Sequence, residues 1–147
     1  ELNHYREGGF YGHPWIVGKN QPNLLFLNNP DLLKYATMTV IPEWTMPAHC
    51  AANGMLFYHG TRIPNARGDA FVASRGSWNA TRKTGYSLTR ILFEDGKPYG
   101  EQKVVDFLKG GSEVKGRPVD CAEAPDGSII ISDDFANLVY RLRYVGK

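Results

Sequence analysis

The sequence has no dense run of lysine or arginine, no C-x-x-C pair and no apolar stretch of membrane-spanning length. Each absence removes a class of function. Seventeen basic residues stand against fifteen acidic ones, a net charge of +2 with the cations scattered, so nothing builds the concentrated field a nucleic-acid backbone requires. The two cysteines, Cys50 and Cys121, lack zinc-site spacing. They read either as small buried residues or as a disulfide pair. A bilayer helix needs about 20 apolar residues in succession, and the chain offers none. With 42% hydrophobic and 22% charged content over 147 residues, what remains is one globular core, too small for two ordinary domains. The chain opens on Glu1-Leu2-Asn3 with no Met and no signal segment, and reads as a portion of something longer.

What is present falls into three parts. Residues 1–48 are loop-rich, with Gly8, Gly9, Gly12, Pro14, Pro22, Pro30, Pro42 and Pro47 interrupting any pattern. Asn29 or Asp31 is placed to cap one helical turn, and Thr37–Ile41 reads as a short strand. Residues 49–110 carry four strand signals: Met55 to Tyr58, Ala70 to Ala73, Tyr86 to Phe93 and Lys103 to Leu108, with Glu94-Asp95-Gly96-Lys97 as a hairpin turn. After Gly110-Gly111, residues 111–147 give two more, near Ser128 to Ser132 and Leu138 to Tyr144. His49-Cys50-Ala51-Ala52 is echoed by Asp120-Cys121-Ala122-Glu123, an offset of 71 residues. The expected fold is therefore all-β: a partial β-propeller of about two blades, one complete (49–110) and one incomplete (111–147). Such a piece needs the rest of its ring, or copies of itself, to cover its edges.

The chemistry concentrates in Arg75-Gly76-Ser77-Trp78-Asn79, where a cation, a hydroxyl, an indole and an amide follow the second strand. Asn79-Ala80-Thr81 is also a glycosylation sequon, meaningful in a eukaryotic secreted protein. Asp133-Asp134 invites a metal reading, although such a pair also ties a blade turn. His4 and His59 read as surface or turn residues.

Five segments in order carry a family resemblance. They are Glu1-Leu2-Asn3 with Gly9-Phe10-Tyr11-Gly12-His13-Pro14; His49 to Tyr58; Arg67-Gly68-Asp69-Ala70-Phe71-Val72-Ala73; Gly76-Ser77-Trp78-Asn79; and Gly116-Arg117-Pro118-Val119 with Ser132-Asp133-Asp134 and Tyr140-Arg141. Together they resemble the C-terminal part of the glucose/sorbosone dehydrogenases that use pyrroloquinoline quinone (PQQ). His13, Ala52-Asn53, Arg75 and Lys115 depart from the family pattern. The resemblance implies a six-bladed propeller, with PQQ held over its mouth by basic and polar side chains together with calcium. It implies hydride transfer from an aldose or related sugar to the quinone, and a periplasmic or secreted location. Carried over residue by residue, it makes His49, Arg75, Trp78, Asn79 and Arg117 cofactor-facing, and Glu1 and the Tyr11 carbonyl calcium ligands. Arginines suit a cofactor with three carboxylates. The family's catalytic base belongs to an N-terminal half, so no residue here is assigned as catalytic. The alternative is a non-catalytic propeller fragment that binds a ligand or partner, or assembles with itself.

Overall fold

The computed structural model describes residues 1–146 and divides into two compact units, Glu1–Met46 and Pro47–Lys147.

The first unit is mostly loop. It holds β1 (Ile16–Val17) paired antiparallel with β2 (Gln21–Pro22), a 3-10 turn at Leu24–Phe26 and the helix α1 (Leu32–Met38). Asn29 Oδ1 accepts from the Asp31 amide at 2.9 Å, so Asn29 braces the entry while Asp31, the N-cap residue, makes no side-chain cap bond. The strand expected at Thr37–Ile41 is not formed. Helix α1 runs to Met38, and Thr39 contributes an isolated bridge to Phe10. Local β-branching is overridden by packing: Tyr35 stacks on Trp15 with centroids 4.1 Å apart and meets Phe10 at 5.8 Å, which fixes the helical turn carrying it.

The second unit is built from sheets. Strands β3 (Ala52–Phe57), β4 (Ala70–Ser74), β5 (Ser87–Glu94) and β6 (Lys97–Asp106) form a four-stranded antiparallel meander in sequence order. Asp95 and Gly96 both adopt positive φ between β5 and β6, the backbone that a tight hairpin of matching twist demands. A small hairpin, β7 (Leu108–Lys109) with β8 (Glu113–Val114), turns through Gly110 and Gly111. A three-stranded antiparallel sheet follows, of β9 (Pro118–Glu123), β10 (Ile129–Asp133) and β11 (Leu138–Leu142).

Strand β9 adds a third strand where the sequence suggested two. Its buried positions are Pro118 and Cys121, small residues without a clean alternation. The 71-residue echo is not a structural repeat: Cys121 lies inside β9, whereas Cys50 precedes β3. Both thiols are free and buried, so the small-residue reading holds and the disulfide does not.

The two sheets pack face to face. Phe71, Ala73 and Leu88 from the first meet Cys121, Ile129 and Ile131 from the second, with Tyr58 and Ala66 completing the core. Cutting Ile129 or Ile131 to alanine would cost roughly 2–5 kcal/mol apiece, the transfer and cavity terms together. Beneath this core Asp69 is held by the Arg90 Nε at 2.5 Å and the Phe93 amide at 2.7 Å, so a buried charge is paired and hydrogen-bonded. Contact is closest where β3 crosses β9: a Cβ added at Gly54 would overlap Asp120.

Candidate functional site

One end of both sheets gathers the chemistry. There β3 and β9 begin, and β4 and β10 end. His49 precedes β3, Arg75 follows β4, Arg117 precedes β9 and Asp134 follows β10. Both register shifts in the pairings of these first and second strands fall at this end, between Ala52 and Gly54 and between Ser132 and Asp133. Such bulges re-aim side chains at the rim of a sheet.

The loops here are strapped together through backbone. Arg75 N donates to Ala51 O and Gly76 N to Cys50 O, both at 2.9 Å, which fastens the His49 turn to the segment carrying Arg75. Ser77 N reaches Thr84 O at 2.9 Å, and the Tyr86 hydroxyl donates to Ser77 O. Gly76 has φ +102°, and an added Cβ would strike the Tyr86 ring, so this position requires glycine. His49, Ala51 and Tyr86 also hold positive φ, three of the seven non-glycine cases among the described residues. Backbone held in that region costs about 1–3 kcal/mol per residue and collects where function over-determines it. His49 is therefore an exposed turn residue and not the first residue of an inner strand.

Two arginines share one carboxylate. Arg75 donates from Nε at 2.9 Å and Nη2 at 2.6 Å to the same oxygen, Asp134 Oδ2. Arg117 Nε lies 3.4 Å from Asp134 Oδ1, forms no hydrogen bond with it, and is buried with no acceptor among the described residues. The Arg117 guanidinium carbon sits 5.4 Å from the centroid of the Phe135 ring, a cation–π contact. All three charged side chains remain about one-third exposed (32%, 33% and 39%), so the cluster opens to solvent.

Asp133 does something different. Its Oδ1 accepts from the amides of Phe135 and Ala136, both at 2.8 Å, and Oδ2 accepts from Arg117 N at 3.1 Å. Burial pushes this carboxyl up, but the amides of Ala136, Arg117 and Phe135 and the Tyr140 hydroxyl outweigh it and hold the group below the usual carboxylate range. It ties the turn that presents Asp134, Phe135 and the Arg117 backbone. Among the described residues no group of three or more His, Cys, Asp or Glu side chains is arranged to hold a metal.

The sequence-predicted residues are placed as follows. Arg75 and Arg117 meet through Asp134. Trp78, 90% exposed, and Asn79 stand on the loop beyond Arg75, and His49 is exposed on the turn bonded to that loop. In the first unit Glu1 Oε1 accepts from Gly18 N at 2.8 Å, and the Tyr11 hydroxyl accepts from Arg6 N at 2.6 Å. Sequence reasoning missed Asp134 as the shared counter-ion and Phe135 as the surface under Arg117. A signal for the first existed: Ser74-Arg75 and Asp133-Asp134 both straddle the end of the second strand of their sheet, with opposite charges.

Fold and site together define an all-β, partial β-propeller of about two blades with a paired-arginine cluster at one rim. The chain belongs to the TrAA12-like family, whose sequence model matches residues 34–137. An uncharacterized protein of Borreliella burgdorferi (strain B31) is 35% identical over 149 residues, covering 97% of this chain and 38% of that protein. Among solved structures, an iodide structure of Trichoderma reesei Carbohydrate-Active Enzymes Family AA12 superposes with TM-score 0.71 at 19% identity, covering 91% of this chain and 39% of that one. The holo form of the pyranose dehydrogenase PQQ domain from Coprinopsis cinerea gives TM-score 0.67 at 18% identity, with coverages of 97% and 38%. A glucose dehydrogenase gives 0.62 at 20%, with coverages of 92% and 36%. These structures share the fold, and the chain spans less than two-fifths of each relative's length. The resemblance drawn from the five segments agrees with all of them.

Proposed function

We propose that this chain is the C-terminal portion of a PQQ-dependent sugar dehydrogenase-like oxidoreductase acting on an aldose or sorbosone, and that it supplies part of the cofactor-binding wall. The observation that carries this is the pair Arg75 and Arg117, brought from separate sheets to one solvent-open cluster. The donors fit a polycarboxylate. A guanidinium has five N–H groups; Arg75 commits two of them to one oxygen, and the one-third exposed Arg117 side chain makes no hydrogen bond to Asp134. Charge-assisted bonds from such forks are short and directional. Phe135 packs against the Arg117 guanidinium, and the proposal has Trp78, Asn79 and His49 face the cofactor from the neighbouring loops. When bound, PQQ supplies the quinone that takes up hydride from the sugar. This chain's part is to bind and orient, because the resemblance puts the base in another half.

Calcium at Glu1 and the Tyr11 carbonyl belongs to the same proposal. Calcium takes about six to eight oxygens, and one Glu1 oxygen is already engaged by Gly18 N. The remaining ligands would come from backbone carbonyls and water. A periplasmic or secreted location, and the missing propeller half as partner, complete the reading. No helix among the described residues is long and apolar enough to cross a membrane.

A titration of the 147-residue chain with PQQ and calcium, followed by quinone absorbance, tests this. Saturable binding is expected, lost in Arg117→Ala, with no turnover of an aldose and an artificial electron acceptor. Absence of binding would overturn the cofactor assignments. The rival reading, a non-catalytic fragment that binds a partner or assembles with itself, is favoured by the outer edge of β11, which pairs with no strand among the described residues. Self-association measured by sedimentation would support it.

A further inference from the structure

The two arginines are not waiting empty. Asp134 sits between them, bonded to Arg75 and 3.4 Å from Arg117. Asp133 beside it is taken up by three backbone amides and the Tyr140 hydroxyl, so it is not available to either guanidinium side chain. Asp134 differs: among the described residues its Oδ atoms have only the arginine side chains as hydrogen-bond or ion-pair partners, and its grip on Arg117 fails as a hydrogen bond. A carboxylate held this way has the chemistry of the ligand it excludes.

We infer that Asp134 is an internal competitor, its carboxylate occupying the place between Arg75 and Arg117 that a ligand carboxylate must take. The inference rests on the reading of these arginines as carboxylate binders. A tethered group acts at an effective concentration in the millimolar range or above, so an incoming monocarboxylate is outcompeted. A rigid polycarboxylate engages both guanidinium groups at once and is not. Asp134 thus sets both the affinity of the site and its preference for multivalent anions. Its displacement is cheap in structural terms, because exposed pairs contribute little to stability and the backbone bond from Asp134 N to Arg117 O, 3.3 Å, does not depend on its side chain.

Calorimetric titration with trimesate (benzene-1,3,5-tricarboxylate) and with benzoate tests this on the 147-residue chain, using Asp134→Asn, Asp134→Ala and Arg117→Ala. Removing the competitor and one negative charge is expected to tighten trimesate binding about tenfold. Benzoate binding should become measurable, and Arg117→Ala should abolish both. Thermal melting confirms that each variant folds, and Asp134→Asn, which keeps the side-chain shape, stands if the alanine variant does not. Unchanged or weaker trimesate binding in the folded Asp134 variants overturns the inference, since Asp134 would then orient the arginines. No trimesate binding in any variant overturns it as well. If trimesate behaves as expected but PQQ does not bind, the PQQ reading fails and the competitor role of Asp134 stands.

Discussion

Replacing Tyr58 by phenylalanine asks what holds the two sheets together. Tyr58 is fully buried, and its hydroxyl donates to Gly127 O at 2.6 Å while accepting from Ile63 N at 3.1 Å. The first bond joins the β3–β4 connection to the β9–β10 turn, at the end opposite the arginine cluster, and the second braces the connection itself. Phenylalanine keeps the ring and its edge-on contact with Phe71, centroids 5.9 Å apart. The loss is therefore confined to one oxygen. It leaves a carbonyl and an amide without this partner, at about 1–3 kcal/mol for a buried group. Ile63 is only partly buried, so water recovers some of that. The expected cost is about 2 kcal/mol, which with a urea m-value near 2 kcal/mol/M lowers the midpoint by about 1 M. Arg75→Ala, which breaks the exposed ion pair at the other end, should cost no more than about 1 kcal/mol. Urea unfolding followed by tryptophan fluorescence and circular dichroism measures both. A Tyr58→Phe loss below about 0.5 kcal/mol, or one smaller than that of Arg75→Ala, would refute the view that the sheets are held from the core side.

Two further predictions concern titrating groups. The Asp133 carboxyl is held below its usual range in the folded chain, so its contribution is present above the unfolded value of about 3.9 and is lost as pH falls through the lower folded value. Asp133→Asn should melt well below the parent at pH 7, with the gap narrowing towards pH 3; a gap independent of pH would refute this. The Cys121 thiol is pushed up to about 11, by burial first and by the charge of Asp120 second. The folded chain at pH 8 should react slowly with iodoacetamide, and unfolding should expose two free thiols without a reductant. Rapid labelling of the folded chain, or fewer than two thiols after unfolding, would count against it.

How much of this was legible in the sequence varies by element. Strands β4, β5 and β11 carry continuous or alternating apolar residues, and the Asp95-Gly96 turn announces its hairpin, so four strands were legible, although the fourth, expected at Lys103 to Leu108, runs from Lys97 to Asp106 and Leu108 belongs to β7. Strand β9 could not. It buries Pro118 and Cys121 because β3 approaches so closely that even Gly54 has no room for a methyl group, and small residues against small residues leave no periodic signature. Similar letters around the two cysteines suggested a repeat, yet equivalence in a blade is set by pairing and not by a shared dipeptide. Thr37–Ile41 failed for the opposite reason, a strong local preference outweighed by the stacking of Tyr35 on Trp15. At the site, Arg75 and Arg117 were visible as residue types in suggestive places. Asp134 as their common partner was not, because its pairing with Arg75, 59 residues away in sequence, depends on how the two sheets align.

The division of labour between the two ends bears on function. Tyr58 and the apolar residues between the sheets fix the relative placement of β4 and β10, and Asp133 ties the turn after β10 to the start of β9 through the amides of Phe135, Ala136 and Arg117. The positions of Arg75 and Arg117 are thereby set by core packing and backbone bonds, before their own ion pair is counted. A recognition site gains from this arrangement: its donors are held in place by interactions that a ligand does not disturb. The ion pair itself, one-third exposed, is the part of the structure that can be exchanged at small cost. Had Asp134 been buried like Asp69, removing it from its arginine would cost several kcal/mol and no soluble anion would displace it. Its exposure, set against the burial of Asp69, is what makes one ion pair a fixture of the fold and the other a replaceable occupant of a binding site.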